Sequence, residues 1–144
     1  MTLLRNERQE RLAALHSHGE ELLQRYRSAI ATQAVAEPLR ETLAGIERER
    51  APLVEALAEL ERACADLPQP GDPERATLSG VVDRFGPLLG EQRLLVERLR
   101  HADEEWLAEL EPVLQMEWSA DEAELLERLA RHLRQAREIL AAAA

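Results

Sequence analysis

The amino-acid sequence predicts an all-α fold, an up-down-up-down four-helix bundle with a short lead-in helix before the third long helix. Charged residues make up 32% of the chain and aromatic residues only 3%, a composition typical of long packed helices. Apolar residues recur every three or four positions, which is helical spacing. The connections read as short and favour antiparallel neighbours. One domain over residues 1–144 is expected.

Two apolar stripes predict the first two helices. The first stripe predicts a helix over roughly 4–34. The second stripe starts at Leu39 and alternates steps of four and three, which is typical of a helix packed lengthwise against others. Arg50 is its only charged member, and Pro52 follows two positions later. Because proline lacks an N–H group, a kink is expected there.

Turn and capping signals define the second half of the chain. The stretch DLPQPGDPERA, residues 66–76, predicts a loop, because its prolines and glycine break a helix. A lead-in helix to about residue 85 and a third helix over about 87–115 follow. The motif SADE, residues 119–122, is a capping box that opens the fourth helix.

A polar layer is predicted at the middle of the bundle. With a rise of about 1.5 Å per residue, Arg50 lies level with residues 22, 103 and 131 of the other helices. The layer predicted at or beside these positions consists of Arg50, Asp103, His132 and Glu21. We interpret it as a buried ion pair that fixes the register of the helices, with Asp103 as the carboxylate that pairs with Arg50.

A metal or small-ligand site is the alternative interpretation of this layer. Bundles that hold two metal ions use a Glu from each of two helices and a Glu-x-x-His motif from each of the other two. In this sequence Pro52 stands three residues after Glu49, where the motif requires histidine. The Arg50 guanidinium has hydrogen-bond donors only and cannot bind a metal ion. We therefore predict no metal and no cofactor. The candidate ligands for the alternative are Glu21, Glu49 and His132.

Charge and composition argue against several partners and compartments. The net charge is −10, and all 18 basic residues are arginines interspersed with acids, so nucleic acid is not expected. No apolar run approaches the about 20 residues that span a bilayer, and the start MTLLRNERQERL lacks the apolar stretch of a signal peptide. Cys64 is the only cysteine, which fits a reducing compartment. A cytoplasmic protein without membrane contact is predicted.

Two segments resemble the small ferritin-like bacterial proteins of unknown function. They are YRSAIATQAVAEPLRETLAGIERER (26–50) and HADEEWLAELEPVLQMEWSADEAELLERLARHLRQAREIL (101–140). The likeness lies in a tyrosine in the first helix, a Leu-x-x-x-Leu second helix and a long final hairpin. The resemblance implies a ferritin-like arrangement in which the second helix carries Glu-x-x-His. Since Glu49 and Pro52 stand at that motif, it implies the fold with an incomplete di-metal site.

A second resemblance is to the helical flagellar export chaperones that hold hook–filament junction proteins. ETLAGIERERAPLVEALAELE (41–61) and LLVERLRHADEEWLAEL (94–110) carry it. It implies a groove that captures an amphipathic helix of a flagellar or secreted partner. The function expected first is a non-catalytic, protein-interaction or stress-associated ferritin-like protein with a protein partner or a second copy. The export chaperone and a metal-binding ferritin-like oxidase are the alternatives.

Overall fold

The computed structural model describes residues 2–32, 35–65 and 92–143, and these residues form four helices. The helices are α1 (Thr2–Ala31), α2 (Glu37–Ala65), α3 (Gln92–Leu114) and α4 (Ala120–Ala143). The prediction of an all-α four-helix bundle is confirmed. The predicted loop and lead-in helix fall within residues 66–91 and lie outside the described residues.

The helices pack in pairs around a square. Helix α1 packs against α2 and α3, and α4 packs against the same two helices. The sequence neighbours α2 and α3 therefore face each other across the diagonal of the bundle. Any direct contact between them must pass through the core.

The helix directions differ from the predicted up-down-up-down order. The Ala36 backbone N–H, at the α1–α2 connection, donates to Oε1 of Gln92, the first residue of α3. At the opposite end, Arg8 near the start of α1 contacts Trp118 and Glu122 at the α3–α4 connection. Helices α2 and α3 therefore run parallel, and the order is up-down-down-up.

The physical reason lies in the connection between α2 and α3. Only the tight α1–α2 and α3–α4 connections oblige the chain to turn back on itself. Ala65, the last residue of α2, and Gln92 are separated by the whole stretch 66–91, which is long enough to join opposite ends of the bundle. The predicted antiparallel arrangement treated only residues 66–76 as the connection.

Among the described residues, the buried apolar side chains form two clusters that meet at a polar level. One cluster surrounds Val54 and Trp106 and fills the end of the bundle near the α3–α4 connection. The other surrounds Ile46 and Leu99 and fills the end near the α1–α2 connection. Along α2 the residue between the two clusters is Arg50, which is fully buried. The buried charge thus lies at mid-bundle.

Specific polar contacts fix the two short connections. The capping box is confirmed: the Glu122 N–H donates to Ser119 Oγ at 3.2 Å, and the Ser119 N–H donates to Glu122 Oε1 at 2.9 Å. At the other end, the Arg40 guanidinium donates to the carbonyls of Ile30, Thr32 and Val35. These contacts satisfy backbone groups that a helix leaves unpaired where it ends.

None of the helices among residues 2–32, 35–65 and 92–143 combines the length and the apolar character needed to cross a membrane.

Candidate functional site

The centre of the bundle is a salt bridge between Arg50 on α2 and Asp103 on α3. Arg50 Nη1 donates to Asp103 Oδ1 at 3.0 Å, and Arg50 Nη2 donates to Oδ2 at 2.9 Å. Both side chains are removed from solvent, at 0% and 1% exposure. This is the two-pronged geometry in which guanidinium and carboxylate bind most strongly. The pair crosses the diagonal of the bundle and joins the two parallel helices directly.

Tyr26 on α1 closes one side of this pair. Its hydroxyl donates to Asp103 Oδ2 at 2.6 Å, and the Arg50 guanidinium carbon lies 4.5 Å from the centre of its ring. Burial raises the pKa of the Tyr26 hydroxyl, an effect that the positive charge of Arg50 only partly opposes. Tyr26 therefore stays protonated and serves as a donor to the carboxylate.

His132 on α4 closes the other side. Arg50 Nε donates to His132 Nε2 at 2.9 Å. Burial, assisted by the positive charge of Arg50, lowers the pKa of His132 to about 3. The imidazole is therefore neutral, and because Nε2 accepts, the proton sits on Nδ1. Nδ1 faces Oε1 of the exposed residue Glu49 at 3.6 Å.

Arg50 keeps its charge in this setting. Burial disfavours the charged guanidinium most strongly, but the negative charge of Asp103, its hydrogen bonds with Arg50 and the neighbouring Tyr26 together outweigh burial, so that the pKa of Arg50 is raised above its usual value. One cation and one anion thus face each other between two neutral polar groups, and the site carries no net charge. We call Tyr26, Arg50, Asp103 and His132, one residue from each helix, the polar quartet.

Trp106 on α3 forms one wall beside the polar quartet. Its ring centre lies 5.6 Å from the Arg50 guanidinium carbon, and its Nε1–H donates to the Leu15 carbonyl at 3.1 Å. The ring lies directly against the backbone of α1 at Gly19, where an added Cβ would be 2.6 Å from Trp106 Cζ2. Glycine at this position lets an indole ring fit between α1 and the polar quartet.

The structure brings together three of the four residues that the sequence assigned to the polar layer. Arg50, Asp103 and His132 are in contact, whereas Glu21 is not part of the layer. Glu21 lies at the half-exposed edge of α1 and pairs with Arg25 at 3.1 Å. The reason is geometric: Tyr26 lies on the inward stripe of α1, and because helical side chains point back toward the helix N-terminus, its long side chain reaches the level of Arg50.

Sequence reasoning therefore missed Tyr26 and the supporting role of Trp106. A signal for Tyr26 was present, because it is the only tyrosine of the chain and stands on the inward stripe of the first helix. A buried tyrosine hydroxyl normally requires a hydrogen-bond partner. That requirement points to a neighbouring carboxylate at the same level.

The candidate metal ligands do not converge. Glu49 approaches His132 from the surface, Glu21 is bound to Arg25, and both oxygens of Asp103 accept from Arg50. Among the residues that the structure describes, no three His, Cys, Asp or Glu side chains form a group that could hold a metal ion. The residues of this layer do not fit a di-metal centre.

The other histidines bind glutamates at the bundle surface. His16 has Glu61 beside Nδ1 at 3.1 Å and Glu20 beside Nε2 at 3.3 Å, so the two carboxylates lie on opposite sides of the ring. His18 contacts Glu109 of α3 at 2.9 Å. These contacts tie α1 to both of its neighbours and are consistent with structural roles.

The groups of the polar quartet that could take part in chemistry are already hydrogen-bonded to one another. The carboxylate that could act as a base is held by a guanidinium and a phenol, and the imidazole nitrogen that could accept a proton faces a cation. A general base needs a free lone pair directed at a substrate. The arrangement instead resembles a buried polar network that specifies how four helices meet.

No protein-family model matches the chain, and no curated protein and no solved structure is significantly similar to it. The two family resemblances therefore remain predictions.

Proposed function

We propose that this protein is a non-catalytic, ferritin-like helical bundle that acts by binding another protein, as an interaction module or a stress-associated protein. Its centre holds the polar quartet in place of a complete di-metal site. Its partner-binding surface is then provided by the outward faces of the helices.

The observation that carries the proposal is the closed set of contacts in the polar quartet. Both oxygens of Asp103 and the inner nitrogen of His132 accept hydrogen bonds from Arg50. A metal ion bound there would have to displace a permanent cation that is itself fully buried. Leaving that cation without its carboxylate would cost several kcal/mol.

The helix order supports the ferritin-like part of the proposal. Ferritin-like folds differ from simple up-down-up-down bundles by one long crossover connection. The parallel direction of α2 and α3 requires such a connection between Ala65 and Gln92. The predicted up-down-up-down order would have argued against this family arrangement.

The absence of metal chemistry is tested by elemental analysis. The protein is produced with added iron or manganese and purified without chelators, and its metal content is measured per chain. We expect far less than one ion per chain. About one or two ions per chain, lost when His132→Gln and Glu49→Gln are introduced together, would overturn the proposal in favour of the oxidase alternative.

The interaction function is tested by photo-crosslinking in cells. A benzoyl-phenylalanine is placed at one exposed position on each helix, and the positions chosen are Gln24, Glu55, Leu94 and Ile139. We expect a discrete light-dependent adduct from at least one helix face. Mass spectrometry then distinguishes a second copy from a different protein such as a secreted or flagellar subunit. The absence of an adduct at all four positions contradicts the proposal.

A further inference from the structure

The outward face of α4 has its charges segregated along its length. Acidic residues occupy the first half of this face, arginines follow from the middle of the helix, and one acid comes after them. The acids of the first half are Asp121, Glu124 and Glu127, the arginines are Arg128, Arg131, Arg134 and Arg137, and Glu138 follows, all exposed. No acidic residue occurs between Arg128 and Arg137. This segregation contrasts with the interspersed charges that the sequence as a whole displays.

These charges do not neutralise one another within the helix. Glu124 and Arg128, and likewise Glu127 and Arg131, have the i, i+4 spacing that favours a salt bridge. The same spacing and order closes a salt bridge between Glu7 and Arg11 and between Glu21 and Arg25 on α1. On α4 neither pair forms one among the described residues.

Interaction with the helix dipole explains only part of this distribution of charges along α4. An acidic first turn and a basic last turn stabilise a helix, but the effect falls off within one turn of each end. Arg128 and Arg131 lie near the middle of α4, which runs from Ala120 to Ala143. The helix dipole therefore does not account for the placement of Arg128 and Arg131.

We infer that this face of α4 binds the same face of a second copy of the chain in an antiparallel homodimer. A two-fold axis near Leu129 places Glu127 opposite the partner's Arg131 and Glu124 opposite the partner's Arg134. Each pair occurs twice, because a two-fold interface uses the same patch on both copies. A parallel arrangement in register would instead set each arginine against the same arginine of the second copy.

The charge pattern favours a second copy over a polyanion. Nucleic acid presents one sign of charge throughout, so it would be attracted by the arginines and repelled by the adjacent acids and by a chain of net charge −10. An antiparallel copy presents both signs in the matching order. The inference rests on the proposed interaction function and names its partner.

The test uses two full-length variants that carry opposite changes. Glu124→Arg with Glu127→Arg makes the four paired positions 124, 127, 131 and 134 all basic, and Arg131→Glu with Arg134→Glu makes them all acidic. Glutamate and arginine have similar helix propensities, so the fold is expected to persist and is checked by circular dichroism. Arg48→Glu with Arg98→Glu, on exposed positions of α2 and α3, is the control for the change in net charge of the acidic variant.

Sedimentation velocity gives the result. We expect the wild type and the control to dimerise in about 0.01 M salt and to dissociate in about 1 M salt, where the Debye length falls from about 30 Å to about 3 Å. Each reversed variant alone should stay monomeric, and an equimolar mixture of the two should form a heterodimer. A monomeric wild type in low salt overturns the dimer and leaves binding to a different protein intact. A dimer unaffected by either reversal also overturns it.

Discussion

The Tyr26 hydroxyl donates to Oδ2 of Asp103 at 2.6 Å, and the same oxygen accepts from Arg50 Nη2 at 2.9 Å. One carboxylate oxygen thus joins α1, α2 and α3 at a single point. Both donors are buried. When one is removed, the carboxylate loses a hydrogen bond, and water cannot reach the site to replace it. The polar quartet is for this reason expected to respond as a unit to substitution.

Tyr26→Phe is expected to lower the free energy of unfolding by about 1.5–3 kcal/mol, the range for a hydrogen bond to a charged group. The ring remains against the Arg50 guanidinium, so the loss reports the hydroxyl alone. Urea unfolding monitored by circular dichroism measures it. A change below about 0.5 kcal/mol would mean that the hydroxyl contributes little to the fold.

Because Tyr26 is the only tyrosine, its ionisation can be followed by absorbance near 295 nm without interference from others. Burial raises its pKa, so the folded protein should show no tyrosinate at pH values where the unfolded chain titrates, around pH 10. Stability should accordingly fall as pH rises above about 10, and Tyr26→Phe should remove that fall. Tyrosinate appearing near pH 10 in the folded protein would contradict the buried contact.

Acid should destabilise the protein through His132. The pKa of His132 is lowered to about 3 in the folded state, whereas an unfolded histidine titrates near 6.5. Between these values the unfolded state binds more protons, so this residue reduces stability by up to about 1.4 kcal/mol per pH unit as pH falls from about 6.5 to about 3. The stabilising contribution of the neutral His132 side chain is fully present above about pH 6.5.

His132→Gln should flatten this dependence, since a glutamine oxygen can accept from Arg50 Nε but does not titrate. The control is His101→Gln, at a side chain that is 73% exposed, which should leave the slope unchanged. Urea midpoints across pH 4–7 give the comparison. An NMR titration in which His132 protonates near pH 6.5 would disprove the assignment of a neutral, buried imidazole.

Two glycine substitutions should have opposite effects. Gly19→Ala places a Cβ 2.6 Å from Trp106 Cζ2, and the indole is held by its bond to the Leu15 carbonyl. Overpacking of this kind costs about 1–3 kcal/mol. Gly45→Ala meets nothing within 4 Å and should stabilise α2 by about 0.5–1 kcal/mol through helix propensity. The midpoint temperature of thermal unfolding, measured for each variant, tests this. Equal changes in Tm for both variants would contradict a close fit between Gly19 and Trp106.

The level of the polar layer could be predicted although the helix directions were wrong. Asp103 lies at the middle of Gln92–Leu114, and His132 lies at the middle of Ala120–Ala143. Reversing a hairpin end for end moves its termini and leaves its midpoint in place. The prediction that Asp103 faces Arg50 therefore did not depend on the direction of α3.

The error at Glu21 shows what periodicity does not determine. Spacing of apolar residues defines which face of α1 is buried, but the lengthwise position of α1 against α2 depends on the geometry of the connection at 32–36. The residue of α1 whose side chain reaches Arg50 is Tyr26, one turn beyond residue 22 on the same face. Likewise, no local pattern in α2 or α3 states their relative direction, which is set by the length of the segment between them.

Arg50 and Asp103 form one neutral, structural unit. Replacing a single member of a buried ion pair leaves an uncompensated charge, so Arg50→Met and Asp103→Leu should each cost about 3–5 kcal/mol. The double variant removes both charges and should cost no more than either single variant, although Tyr26 and His132 still lose a partner.

The decisive measurement is therefore the double-mutant cycle of Arg50→Met and Asp103→Leu, from urea unfolding of the four proteins at pH 7. The loss for the double variant is predicted to fall at least about 2 kcal/mol short of the sum of the two single losses. Losses that add within about 0.5 kcal/mol, or a single variant as stable as the wild type, would show that the two residues do not act as a pair.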